Sequence, residues 1–192
     1  MKRAHSQNCR DGLLWAPLAW IGTGSTQGWL RDVLLAIDSD GNWSSIESGV
    51  PRSVAHQREA ELLDAPLIPG LVNAHSHAFQ RAFAGMAERR ESAQDDFWSW
   101  RDRMYRVALA VSPVQLKAIA KQLYTEMLRG GYTHVCEFHY LHHDLDGSAY
   151  KDPLTMTWAL VEAADEVGIG LTLLPVLYER AGFTATALRD DQ

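Results

Sequence analysis

LIPGLVNAHSHAFQRAF, residues 67–83, is the stretch whose reading decides the fold. An apolar run carrying Pro69 and Gly70 ends in two histidines, His75 and His77. On a β-strand, residues two apart point to the same face, so the two imidazoles aim together and Ser76 aims away. Neutral imidazoles placed this way can share a divalent ion, and Zn²⁺ takes nitrogen ligands at about 2.0–2.1 Å. Two ligands do not complete a site, since a catalytic zinc keeps three protein ligands and a water. A bare His-x-His also fits two strand-end side chains with ordinary hydrogen bonds. This pair, however, stands at the C-terminal end of an apolar strand, where parallel barrels build their active sites.

Downstream, residues 67–74 read as a buried-type strand and residues 78–90 as a helix. Residues 95–110 carry Phe97, Trp100, Met104 and Val107/Ala108 at helical spacing. Ser112 is a good N-cap, with Pro113 at the first helical position and Gln115 completing a capping box. Leu116, Ile119, Ala120, Leu123 and Met127 form one apolar stripe, and Gly130-Gly131 stop the helix. YTHVCEF, residues 132–138, is a strand. A polar loop follows, then a helix from Asp152-Pro153 to about Glu166 ended by Gly168, then a strand, GLTLLPVLY, at residues 170–178. This alternation implies parallel strands joined by crossover helices. A closed eight-stranded barrel needs about 250 residues. Three such strands fit a small open sheet or the front of a longer barrel, and the lack of a closing helix after the third favours the barrel.

Upstream, residues 13–63 read as short strands, LLWAPLAWI, DVLLAID and NWSSIE, with Asp40-Gly41 as a tight turn. GTGSTQG has the wrong spacing for a phosphate loop and reads as a turn. Lys2, Arg3 and Arg10 ahead of LLWAPLAWI mimic a secretory leader, but Pro17 interrupts the run and no clean cleavage site follows, so it reads as a strand. No stretch reaches the roughly 18 apolar residues of a membrane span. The chain has 192 residues, 46% hydrophobic and 22% charged, with net charge −6. That composition is globular, and the acidic balance with no basic run argues against nonspecific nucleic-acid binding. The two cysteines, Cys9 and Cys136, make no disulfide framework and suit a reducing cytoplasm.

LIPGLVNAHSH resembles the first barrel strand of the amidohydrolase superfamily, in which both histidines bind a catalytic metal. HSHAFQRAFAG, DDFWSWRDRMYR, EFHYLHHDLDG and GIGLTLLPVLYERAGF, in this order, narrow the resemblance to the formimidoylglutamate deiminases, and it runs from about Leu13 to the end. The resemblance implies an α/β fold. Residues 64–192 would be the first three strands and helices of a metal-dependent (β/α)8 TIM-like barrel, and residues 1–63 a small N-terminal β-sandwich segment. It implies a cytoplasmic enzyme of histidine degradation that hydrolyses the small molecule N-formimino-L-glutamate to N-formyl-L-glutamate and ammonia, with a homodimer open to the full-length enzyme. His75 and His77 are then metal ligands, with Zn²⁺ the default ion for a histidine-led hydrolytic site. Gln80, Arg101 and Tyr140 match the family's substrate pocket. Arg101 can grip a carboxylate with two parallel hydrogen bonds, and Gln80 and Tyr140 can each donate one.

Each has a plainer reading: Gln80 solvated early in a helix, Arg101 paired with Asp95 or Asp102, Tyr140 a packed ring. Trp98 and Trp100 read as wall and core. The family's remaining metal ligands, a histidine and an aspartate on later strands, and its acid/base residues have no matching positions before Gln192. No catalytic residue is therefore assigned within the chain, which by itself is expected to show little activity and to leave strand edges unpaired.

A second group comprises His139, His142, His143, Asp144 and Asp146. His139 ends a strand and could face the barrel mouth, and Glu137 could face inward too. The group is expected to shape the pocket or hold its loop, not to bind metal, because DLDG lacks the calcium-loop positions. Cys136 reads as a small core residue. Two other functions fit the residues: a ring deaminase or chlorohydrolase of the same superfamily, or a non-catalytic interaction module.

Overall fold

The computed structural model describes residues 12–23, 26–86 and 96–180. Lys2, Arg3, Cys9, Arg10, Asp95 and the final AGFTATALRDDQ lie outside them, as do the side chains of Trp98 and Asp102. The chain divides into two compact units, Met1–Pro69 and Gly70–Gln192.

In the first unit, β1 (Gly12–Thr23), β2 (Thr26–Ile37), β3 (Trp43–Glu47) and β4 (Glu61–Leu62) form one sheet in the order β3-β2-β1-β4, and the short helix α1 (Arg52–Gln57) lies between β3 and β4 in sequence. LLWAPLAWI is strand throughout, and β1 pairs antiparallel with β2 as far as Thr23↔Thr26, while Gly24 and Ser25 of GTGSTQG lie outside the described residues. Gly41, with φ 81°, turns the chain into β3. One core gathers Trp15, Leu34, Val50 and Ala55, and another gathers Ala19, Ile21, Val33 and Leu35. Leu67 stays with this unit: its N–H donates to the Leu18 carbonyl and its own carbonyl accepts from Trp20. The expected strand at 67–74 therefore begins only after Pro69, which has no N–H to contribute to a ladder.

The second unit holds a parallel sheet in the order β5-β6-β7, from β5 (Leu71–Ser76), β6 (Tyr132–His139) and β7 (Gly170–Pro175). Gly70 admits β5 beside β6, since a Cβ there would stand 2.3 Å from the Thr133 side chain. After β5 comes a 3-10 helix, Ala78–Phe83, where an α-helix to residue 90 was expected. The chain then turns through residues 84–86, with Gly85 at φ 86°. A left-handed residue so soon after the start ends any longer helix.

α2 (Phe97–Ala108) starts where Asp96 and Ser99 bond reciprocally, Ser99 N–H to Asp96 Oδ1 and Asp96 N–H to Ser99 Oγ. α3 (Pro113–Arg129) carries the expected capping box of Ser112 and Gln115. α4 (Thr155–Val167) ends at left-handed Gly168. Along β6, burial alternates: Val135, Glu137 and His139 are buried, while His134, Cys136 and Phe138 are half-exposed. The buried face meets a core of Leu116, Ala120, Tyr124, Met156 and Leu160 from α3 and α4. Among the described residues, no helix is long and apolar enough to cross a membrane.

Leu160 is 1% exposed in this core. Leu160→Ala should cost about 2–5 kcal/mol in urea unfolding, by lost burial and the cavity left behind. At the α3–α4 surface, Lys117 pairs with Glu162 and Glu166, and Lys121 with Glu166. These lysines hold the Glu166 carboxyl at about 2. The bidentate Arg81 contact, with Gln122, does the same for Glu126, also at about 2. A carboxyl with a depressed folded pKa stabilises above its unfolded pKa, near 4.5, and loses that contribution as the pH falls toward 2. Both carboxyl resonances should therefore titrate near pH 2 by NMR, and Glu166→Gln should flatten the acid limb of stability between those values.

Candidate metal centre and substrate pocket

β5 ends at Ser76, and the strand geometry carries one residue further. His75 is exposed, Ser76 is buried and His77 is half-buried. The two imidazoles converge on the open face of the sheet, with ring centroids 4.7 Å apart and Nε2 3.0 Å from Nε2. His77 Nδ1 lies 3.0 Å from the Phe138 carbonyl. A carbonyl can only accept, so His77 is the Nδ1–H tautomer and its Nε2 lone pair faces His75. His75 Nε2–H then donates to His77 Nε2. The Phe138 ring lies against His75 at 4.3 Å between centroids.

Two ligands at about 2.0–2.1 Å in a tetrahedral shell stand about 3.3 Å apart, so the observed nitrogen separation suits a cation in place of the shared proton. Burial lowers the His77 pKa, His75 lowers it further, and the Phe138 carbonyl opposes both. The ring is thus kept neutral near pH 7, which ligation requires. The residues fit a divalent ion, but among those described no three His, Cys, Asp or Glu side chains are grouped to hold one.

Two of the three expected pocket residues, Gln80 and Tyr140, meet at α2. Gln80 Nε2 points at Met104 Sδ (3.5 Å) and Tyr140 Oη at the same sulfur (3.8 Å). Tyr140 also packs against His77 at 5.2 Å and Phe79 at 5.4 Å between centroids, which ties the pocket to the histidine pair. Arg101 lies one turn before Met104. Its Nη2 donates to Tyr105 Oη at 3.2 Å, and its guanidinium lies over that ring, 4.9 Å from the centroid. Trp100 packs against the core beside Phe83, as wall rather than chemistry.

The second histidine group divides. His139 and Glu137 are 3% and 2% exposed, on the face opposite the His75–His77 pair. Neither faces the open side, because strict alternation along β6 gives that side to Phe138. Burial, with His142 nearby, pulls the His139 pKa down to about 4. His142 lies with Nε2 3.1 Å from the Val176 carbonyl, and His143 bridges Ala149. Asp144 and Asp146 bond within their own loop, accepting from Leu145 and Tyr150 and from Ser148 respectively. Cys136 is half-buried on the open face, not in the core. Sequence reasoning missed Phe138. The strand alternation could have placed its ring beside the histidines, but no residue type announces the use of its backbone carbonyl.

Burial pushes the Tyr140 hydroxyl up to about 12, with Gln80 pulling the other way. Tyr140 is thus a proton donor across the whole physiological range. The difference between wild-type and Tyr140→Phe absorbance at 295 nm should show a phenolate appearing only near pH 12.

Residues 67–191 match the amidohydrolase family. Formimidoylglutamate deiminase of Pseudomonas aeruginosa is 51% identical over 157 residues, which are 82% of this chain and 34% of that protein. The chain thus spans about a third of the length of this curated relative. The crystal structure of an amidohydrolase from Brucella melitensis superposes with TM-score 0.83 at 41% identity, over 94% of this chain and 38% of that one. Atrazine chlorohydrolase from Arthrobacter aurescens, solved with zinc, shares the fold with TM-score 0.56 at 20% identity, over 86% of this chain and 34% of its own. With a parallel sheet flanked by helices and a His-x-His pair at the end of its first strand, this chain belongs to the amidohydrolase family.

Proposed function

We propose that this chain carries part of the active site of a formimidoylglutamate deiminase, which hydrolyses the formimino group of N-formimino-L-glutamate to a formyl group with release of ammonia. The observation that carries the reading is the 51% identity over 157 residues to a deiminase of that name. The convergence of His75, His77 and Tyr140 in one neighbourhood supports it.

In this reading His75 and His77 hold a divalent ion, Zn²⁺ by the chemistry of the donors. When bound, that ion makes water acidic enough to attack near neutral pH. His77 is presented by its Nδ1–H bond to Phe138, and His75 by the ring of the same residue. Arg101 binds a substrate carboxylate through its forked donors, exchanging its contact with Tyr105 for a charge-assisted pair. Gln80 and Tyr140 donate hydrogen bonds to the substrate's polar groups, and both are held beside the histidines by Met104 and Phe79. The proton carriers and the remaining ligands belong to other parts of the enzyme.

The same reading makes β5, β6 and β7 the first strands of a (β/α)8 barrel. Leu71 and Val72 on the outer strand β5, 48% and 59% exposed, are apolar surface that a closed barrel would cover. Trp20, Trp29 and Trp43, exposed on the first unit's sheet, are surface that the second layer of a β-sandwich would cover.

The test is ammonia release by the full-length enzyme from N-formimino-L-glutamate against guanine and other ring substrates. Turnover of formiminoglutamate alone is expected. His75→Ala or His77→Ala should lower kcat by a hundredfold or more, roughly the upper end of losses seen when even a metal site's supporting residues are changed. Arg101→Lys, which keeps the charge but loses the fork, should raise KM about tenfold. Turnover of a ring substrate without turnover of formiminoglutamate would overturn the assignment. The 192 residues alone should release little or no ammonia.

A further inference from the structure

Glu137 is a carboxylic acid 2% exposed in the core, on the face of β6 turned away from the proposed chemistry. Its Oε1 accepts a hydrogen bond from the backbone N–H of Ala78, 59 residues away in sequence. The Ser76 side chain lies against the same carboxyl, close enough to lower its pKa. Ser76 and Ala78 are the residues on either side of His77.

The need for this contact follows from the local fold. His77 is the N-cap of the 3-10 helix Ala78–Phe83, where a capping side chain would serve the N–H of the second or third residue, and the N–H of the first residue, Ala78, has no acceptor within the helix. It makes no such cap, because its ring is turned to the open face, toward His75 and the Phe138 carbonyl. A histidine cannot both cap its helix and reach across the sheet. Whatever His77 does, the buried Ala78 N–H needs an acceptor from outside its helix, and leaving it without one would cost about 1–3 kcal/mol. Glu137, paired with Ser76 in the β5–β6 register, supplies that acceptor from the neighbouring strand.

We propose that Glu137 is a positioning residue for the metal-ligating pair, capping from behind the sheet the helix whose own cap residue is committed as a ligand. This inference rests on the reading of His75 and His77 as ligands. Two consecutive residues of β6 thus hold His77 from opposite sides: Glu137 grips the backbone on the buried face, and the Phe138 carbonyl grips Nδ1 on the open face. Burial raises the Glu137 pKa against the pull of Ala78, Ser76 and Tyr124. What the position uses is therefore an acceptor oxygen at the right reach, which a neutral amide also provides.

The test compares Glu137→Gln with Glu137→Leu in the full-length enzyme, titrated with Zn²⁺ against a chromophoric chelator. Imidazole ¹⁵N shifts and hydrogen exchange at Ala78 are followed in parallel. Glu137→Gln should keep the zinc affinity within about threefold and keep His77 as the Nδ1–H tautomer. Glu137→Leu should weaken zinc by at least about tenfold, as for lost supporting contacts at other metal sites. It should also turn His77 into a mixture of tautomers and speed exchange at Ala78. Glu137→Asp, which draws the carboxyl back by one methylene, should repeat the leucine result if that variant fails to fold. A leucine or aspartate variant with wild-type zinc affinity and an unchanged His77 tautomer would overturn the inference. A wild-type full-length enzyme with no zinc-dependent shift at His75 or His77 would instead overturn the metal reading, and the tautomer of His77 in the variants would still decide the role of Glu137.

Discussion

Two imidazole nitrogens held 3.0 Å apart on one face of a strand end are the constraint around which the second unit is arranged. Neutral imidazoles come this close only when one nitrogen offers a lone pair and the other a proton or cation. The Phe138 carbonyl settles which: it can only accept, so it takes the Nδ1 proton of His77 and leaves Nε2 free. That carbonyl is within reach because β5 and β6 are parallel neighbours with Ser76 opposite Glu137. The register of one strand pair thereby sets the tautomer of His77.

The three candidate substrate-binding residues come from separate segments. Gln80 follows the histidines on the 3-10 helix, Tyr140 follows β6, and Arg101 sits on α2. Gln80 and Tyr140 meet because Met104 on α2 offers its sulfur to both. A methionine suits this task, being flexible and polarisable enough to fill the space among unlike neighbours. The division of β6 into two faces matters equally. One face joins α3 and α4 in the core through Val135, and the other leaves Phe138 beside the histidines. Tyr124 and Glu137, buried together between β6 and α3, shift each other's titration although the Tyr124 hydroxyl makes no regular hydrogen bond.

Much of this was legible in the residues alone, and the places where it was not have a common cause. Short-range signals read correctly: the Ser112 capping box, the Gly168 stop and the Asp40-Gly41 turn depend on contacts within a few residues. The His-x-His geometry also read correctly, because the twofold alternation of a strand is a backbone property. The start of β5 and the length of the helix after it did not. Leu67 is claimed by β1, and the 3-10 helix is held by a carboxyl from β6, both partners that no local pattern names.

By itself, then, the sequence determined the order of strands and helices and the shared direction of His75 and His77, since periodicity, capping and strand alternation are local along the chain, while the family came from the resemblance of whole segments and is shown by the match over residues 67–191. Only the tertiary structure decided that His139 and Glu137 lie on the buried face of β6, that Phe138 supplies both a ring and a carbonyl to the pair, and that Gln80 and Tyr140 meet at Met104 of α2. Those outcomes depend on which strand lies beside which and in what register, and on contacts between residues far apart in the chain, which the spacing of residue types does not encode.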